Sequence, residues 1–369
     1  MSYVIILLMI ISASAHYVGV ISYISLLALI VLNFRNCKFS YNRYFIIFLF
    51  SVLYGANILV SLNSKNGIDL VIANFFLQVL FILTVNYNEK YISLIIKSIK
   101  LQVVISFLMG IVGFLNINQS MFIDAGATKG FAGMHALIGI YSTPQLLASL
   151  CIASLIFNNN IKGDCKGTIK SKLFNSISLV VLVLTLNRVN IFSLVAWCLI
   201  REIYKKAGWL ITMLLFFVST IIVFYYVIFI IPWDGLLLRT MQSRYALITG
   251  VISEIDLNSP WQVVFGLFDN ISFYLPDYMV NITYVENGGM FIFKYFGLIG
   301  LFLYIVFAFV LAVKLYKNKA KFLSLYALFY LLIIQNFTHE FLSFVFSQII
   351  VLLIYHVIPT HNALQAKNT

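Results

Sequence analysis

Of 369 residues, 62% are hydrophobic and only 10% are charged, with a mean hydropathy of +1.00. A water-soluble domain carries about 25% charged residues, so the composition excludes an ordinary soluble fold and makes the bilayer the expected solvent. The net charge of +12 raises nucleic acid as a partner, but its placement along the chain, set out below, excludes that reading.

Inside lipid every backbone polar group needs an internal partner, which leaves helices or a closed barrel. The apolar runs over 177–186, 210–231 and 296–313 are continuous, whereas barrel strands alternate over about ten residues. The expected class is therefore all-α, a polytopic integral membrane protein of about 11–12 transmembrane helices. Hydropathy places the spans near 3–14, 17–33, 44–61, 69–86, 100–116, 135–157, 174–187, 189–200, 208–231, 289–313, 322–335 and 341–358. The first run ends in Ala13-Ser14-Ala15, like a signal peptide. It lacks a basic leader, however, and a second apolar run follows at once, so it reads as an uncleaved span. The whole of 1–369 is expected to form one transmembrane domain.

Eighteen of the 24 Lys and Arg residues fall in alternate connections: 35–43, 90–100, 162–172, 201–206, 314–321 and Lys367. The other connections hold only Lys65, Lys129, Arg188, Arg239 and Arg244, with Lys294 inside a span. Such alternation is the positive-inside pattern. It makes the lysine-rich side cytoplasmic and leaves no nucleic-acid site. Cys37, Cys151, Cys165 and Cys198 all fall on the cytoplasmic side without metal-ligand spacing, so disulfides are not expected.

Two outer loops stand out, a glycine-rich one over 116–134 and a long one over 232–288. The long loop holds half of the twelve acids, together with Arg239, Arg244 and three prolines. Loops of that length usually carry function. Within it, 235–251 reads as an amphipathic surface helix.

The stretch from Lys172 to Arg201 would be about 43 Å long as one helix and would put its basic ends on opposite sides. Two short helices with Leu186-Asn187-Arg188 at the tip remove the conflict. Each would reach about 21 Å, short of the roughly 30 Å hydrocarbon core, so Arg188 would lie recessed below the outer surface. An arginine at that depth is costly and marks a functional site.

The chain has no nucleotide-loop or zinc-protease motif and no nucleophile elbow, so no cofactor and no metal is expected. What remains is Arg188, Arg239 and Arg244, several carboxylates, and His135 and His339 near the outer side. Guanidinium forks match phosphate oxygens, which points to recognition of a phosphate or diphosphate at the outer face. The same arginines would stabilise charge on a departing phosphate, and a carboxylate or histidine would deprotonate an incoming hydroxyl. Each residue also has a plainer role. Arg188 can cap the hairpin, Arg239 and Arg244 can anchor at headgroups, and Glu286 can cap the following helix. Lys294 can snorkel or pair with Glu286, and His339-Glu340 can be a satisfied polar turn.

Four segments resemble the O-antigen polymerases of Gram-negative bacteria, which are distantly related to O-antigen ligases. Gly130-Phe-Ala-Gly-Met-His, running on to Thr143-Pro-Gln-Leu-Leu-Ala, is similar to their glycine-then-Pro-Asn/Gln span entry. Leu184-Thr-Leu-Asn-Arg matches their Leu-Thr-x-Ser-Arg turn, with Asn187 replacing the serine. Ser243-Arg-Tyr-Ala-Leu, with Pro260 and Gly266, resembles the start of the periplasmic loop. Glu286-Asn-Gly-Gly and the apolar run after it resemble its exit, where many relatives have His-Asn.

The resemblance implies a fold of the GT-C glycosyltransferase kind in the bacterial inner membrane, with its active site facing the periplasm. It implies transfer of a growing glycan from undecaprenyl diphosphate to a new lipid-linked repeat unit. Arg188, Arg239 and Arg244 would bind the diphosphates, with Arg188 and Arg244 acting in catalysis. Glu286 would serve the acceptor hydroxyl, with His339 as the substitute. Membrane lipids, undecaprenyl-diphosphate-linked oligosaccharides and a polysaccharide chain-length regulator are the implied partners. A ligase using the same donor and a lipid-linked oligosaccharide flippase are the alternatives. The topology predicts that alkaline phosphatase fused after Asp124 or Asp269 is active in cells, while fusions after Cys165, Lys205 or Lys319 are silent.

Overall fold

The computed structural model describes residues 2–36, 52, 70–115, 119–125, 133–160, 169–229, 246, 248–253, 255, 259–266, 273–275, 280–282, 287–338 and 340–358. These are mostly helical, with two small antiparallel hairpins, Phe122–Asp124 with His135–Leu137 and Phe273–Leu275 with Val280–Ile282. The expected span over 44–61, apart from residue 52, and most of both outer loops lie outside the described residues. Two described helices, Glu89–Phe114 and Gly288–Lys317, are long and apolar enough to cross a membrane. Shorter apolar helices of 10–17 residues accompany them, among them Ser2–Ala13, Pro144–Asn158 and Phe344–Tyr355.

Chain contacts divide the molecule into two compact units. The first comprises 1–58, 70–191 and 340–358. Its centre is the Phe344–Tyr355 helix, in which every residue from Phe344 to Leu353 is buried. A helix that is apolar on all sides belongs in a core. It packs on Leu70–Thr84 and Pro144–Asn160. Ser343 caps it by accepting the Phe346 amide proton at 3.2 Å, and Ser347 donates to Gln78 Oε1 at 2.7 Å. Glu89–Phe114 packs on Ser2–Ala13, Pro144–Asn160 and Ile169–Leu184.

Several boundaries depart from hydropathy because local chemistry overrides it. The helix expected from 100 begins at Glu89, since Asn88 accepts the Tyr91 amide proton at 2.7 Å and so fixes the N-terminus. Lys90, Lys97 and Lys100 therefore ride on a helix rather than in a loop. The span expected from 135 begins at Pro144, a residue suited to a helix's first position. The residues before it form a strand and a turn at Gly139, whose φ is 59°. The spans expected over 189–200 and 208–231 stay separate, since Arg188–Phe229 divides into two helices at Gly208, where φ is 78° and ψ is 178°. The expected span over 17–33 is split by Gly19 into Ala15–Val18 and Val20–Asn36. Of the surface helix expected over 235–251, residue 246 and residues 248–250 are described and helical, and the helix runs on to 253.

The second unit comprises 59–69, 192–339 and 359–369. Trp197 stacks among Phe322, Tyr326 and Phe329, with ring centroids 4.4–6.5 Å away. At Phe329–Ile334 the backbone widens into a π-helical turn, and the Tyr304 hydroxyl donates to the Leu331 carbonyl within it. Lys294 does not snorkel. It is 1% exposed, and its ammonium lies 4.3 Å from the centre of the Tyr295 ring, an attraction that strengthens away from water.

Gly266 and Gly297 have φ of 88° and 62° and meet backbone to backbone where Pro260–Phe265 packs on Gly288–Lys317. A methyl group at Gly297 would lie 2.3 Å from the Val264 carbonyl oxygen, and one at Gly266 would lie 2.6 Å from the Gly297 nitrogen. Both positions combine a left-handed backbone with no room for Cβ. Gly297→Ala and Gly266→Ala are each expected to destabilise by more than ~1 kcal/mol, whereas Gly→Ala at an ordinary helix position stabilises. The check is a lowered unfolding temperature of the purified protein in detergent, with Gly133→Ala, where a Cβ meets no atom within 4 Å, as the comparison.

Candidate functional site

The Ile169–Leu184 helix ends at the sequence Leu184-Thr185-Leu186-Asn187-Arg188. Leu186 adopts φ 47°, a conformation that β-branched residues disfavour and that other non-glycine residues adopt only under constraint. Two bonds supply the constraint. The Thr185 hydroxyl donates to the Leu182 carbonyl at 2.6 Å, and the Leu186 amide donates to Val183 at 3.0 Å. The next helix then starts at Arg188, with Asn187 as its cap: Oδ1 accepts the Asn190 amide proton at 3.0 Å. Asparagine and serine cap equally well, which explains why Asn187 can stand where the resembled motif has serine.

Arg188 is the first residue of its helix and is half-buried. Free amide protons and the dipole of a helix start favour an anion, and a guanidinium adds a fork of donors at the same place.

Behind the turn lies a buried polar chain. Asn190 Nδ2 donates to the Gln145 carbonyl at 3.2 Å, in the first turn of Pro144–Asn160. The Ser149 hydroxyl, one turn further on, lies between Asn190 Oδ1 at 3.3 Å and the Glu340 carboxyl group, to which it is tightly hydrogen-bonded. Asn190 and Glu340 are 0% exposed and Ser149 is 1% exposed. The proline-glutamine span entry and the arginine turn, two separate sequence segments, are thereby joined through Asn190 and tied to the last helix through Glu340. Sequence reasoning missed Ser149 and Asn190 and treated Glu340 as a turn residue. The one available signal was an acid set among apolar neighbours.

A cavity of about 1000 Å³ borders the turn. Phe107, Ile111 and Phe114 line it from Glu89–Phe114, and Leu184 and Leu186 line it from the turn. Asp124 and His135 line it from the first hairpin. Gly110 lets that hairpin sit close, since a Cβ there would come within 3.2 Å of Leu137. The walls are apolar, and the acid and the histidine supply the polar edge.

Of the expected site residues, Arg188 is described and occupies this turn. Arg239, Arg244, Glu286 and His339 lie outside the described residues. The helix following Glu286 is capped by Asn287, whose Oδ1 accepts from Met290 at 2.9 Å. Asn287 also donates to the Asn336 carbonyl, and Asn336 Oδ1 accepts from Gly289, both at 3.0 Å. No group of three or more potential metal ligands occurs among the described residues.

The chain matches no protein-family model, no curated protein and no solved structure.

Ser149→Ala removes the hydroxyl that bridges two buried polar groups. It is expected to destabilise by about 1–3 kcal/mol, read as a lower unfolding temperature in detergent. Ser176→Ala, whose exposed hydroxyl bonds only to the Lys172 carbonyl in its own helix at 3.1 Å, is expected to cost less.

Proposed function

We propose that the chain is a polytopic inner-membrane glycosyltransferase that polymerises lipid-linked O-antigen repeat units at the periplasmic face. The observation that carries the reading is Arg188: a guanidinium on the first turn of a helix, at a turn held by a buried polar chain and bordered by an apolar cavity. That arrangement suits a ligand with a diphosphate head and a hydrocarbon tail, which is the chemistry of undecaprenyl diphosphate. Arg188 would hold the diphosphate and stabilise the charge that builds on it as the sugar departs. The donor is already activated, so the reaction calls for no nucleotide or metal.

The membrane setting is supported by what the helices expose. Phe192, Leu199, Leu210, Leu214, Phe302 and Leu303 are all exposed, Phe192 at 73% and Phe302 at 65%. Apolar faces of that extent need a covering, and lipid is the one that agrees with the alternation of lysines along the chain. The resemblance of the Arg188 turn, the Pro144 span entry and the Asn287-Gly288-Gly289 loop exit to O-antigen polymerases supplies the reaction class by analogy. The long loop bearing Arg239 and Arg244 adds two further cations of the right type. Asn287 is a helix cap held by Asn336, so the asparagine of that loop exit has a structural reason of its own.

The test is the lipopolysaccharide banding pattern of a strain lacking this chain, complemented with wild type, Arg188→Ala or Arg188→Lys. Deletion is expected to leave a core bearing a single repeat unit. Arg188→Ala is expected to do the same, and Arg188→Lys, which keeps the charge and loses the fork, to give a short, weak ladder. A core without repeat units in the deletion strain would identify a ligase or flippase instead, and an unchanged ladder would overturn the reading.

A further inference from the structure

The first hairpin sets an acid against a histidine by register. Phe122, Ile123 and Asp124 pair with Leu137, Ala136 and His135. Just outside the paired residues, Ala125 donates to Met134 at 2.9 Å and Ile138 donates to Met121 at 3.1 Å. Hydrogen-bonded and non-bonded pairs alternate along an antiparallel ladder, so Asp124 and His135 form a non-bonded pair. In such pairs the Cα atoms approach to about 4.5 Å and the side chains are closest. The two side chains therefore share one face of the hairpin, and both line the 1000 Å³ cavity. Ala136, on the other face, is fully buried.

Three features of this cavity converge on a reacting centre. Its walls are apolar, which suits a hydrocarbon tail. Its rim includes Leu186, two residues before Arg188. Its polar edge carries a carboxylate and an imidazole, and His135 is exposed and open to a ligand. The volume lies at the upper end of ordinary ligand pockets, about 300–1000 Å³.

Resting on the polymerase reading above, we propose that this cavity seats the first isoprene units of the donor lipid and that His135 is the general base for the transfer, with Asp124 positioning its ring. The acceptor sugar's hydroxyl gives its proton to an imidazole nitrogen of His135 as its oxygen bonds to the donor's anomeric carbon. The bond from that carbon to the diphosphate oxygen breaks, and its electron pair leaves with undecaprenyl diphosphate, whose charge Arg188 meets. His135 then releases the proton to water. Asp124 acts through the ring, from the position opposite it in the strand register.

The test uses membranes of the deletion strain carrying full-length variants, with lipid-linked repeat units extracted from the deletion strain and added at varied concentration as substrate and the ladder as product. His135→Ala and His135→Gln, present at wild-type amounts, are expected to slow polymerisation by at least 100-fold. Added imidazole is expected to restore the rate of His135→Ala alone, because the free base fills the space of the missing ring. Asp124→Asn is expected to lower the maximal rate about tenfold without raising the repeat-unit concentration needed for half-maximal rate, and Asp124→Glu to recover part of it. A wild-type rate for His135→Ala, or a loss that imidazole does not relieve, overturns the proposal. Either result leaves the polymerase reading standing wherever chain deletion and Arg188→Ala still abolish the ladder. An unchanged ladder on deletion removes both.

Discussion

The turn before Arg188 depends on the buried hydrogen-bond chain that runs from Asn187 through Asn190 and Ser149 to Glu340. In surroundings this apolar, an interrupted helix exposes backbone groups that water cannot satisfy, and each would cost as much as a lost hydrogen bond. The chain answers with side chains. Asn187 caps the new helix, Thr185 closes the old one, and Asn190 reaches the first turn of the Pro144 helix. Because Leu186 sits at φ 47°, the turn holds its shape only while those bonds persist. The placement of Arg188 follows from them.

The same economy governs the second unit. Where the chain re-enters after the long loop, Asn287 donates to the Asn336 carbonyl and the Gly289 amide donates to Asn336 Oδ1, and Gly289 leaves room for the Asn336 amide, 2.7 Å from where a Cβ would sit. Gly266 and Gly297 allow a short helix of the loop to lie directly on the helix that leaves it. In both units, asparagines and glycines of the resembled motifs have structural reasons. The residues left for chemistry are the charged ones.

A lipid diphosphate combines an inert tail, a doubly charged head and a reactive carbon between head and sugar. On the proposed reading, the apolar cavity, the arginine at a helix start and the histidine opposite an aspartate would supply one complementary element for each. On this account the hairpin of Phe122–Asp124 with His135–Leu137 does more than connect helices. It brings a base to the rim of the cavity that the arginine turn also borders.

Sequence alone determined the helical class, the alternation of basic connections and the break at Asn187-Arg188, because hydropathy, charge and a tip residue are local properties. It also singled out Arg188, since an arginine in an apolar run has few innocent explanations. It misplaced helix starts at Glu89 and Pro144, because caps and prolines act within a turn while hydropathy averages over several. It left Lys294 either snorkelling or pairing with Glu286, whereas the fold closes over it beside Tyr295. The union of Gln145, Ser149, Asn190 and Glu340, residues up to 195 positions apart, was invisible, since no local pattern marks a hydrogen bond between distant segments. Only the tertiary structure brought these together and set Asp124 across from His135, because strand register and helix packing are decided by contacts between parts of the chain that the sequence keeps apart.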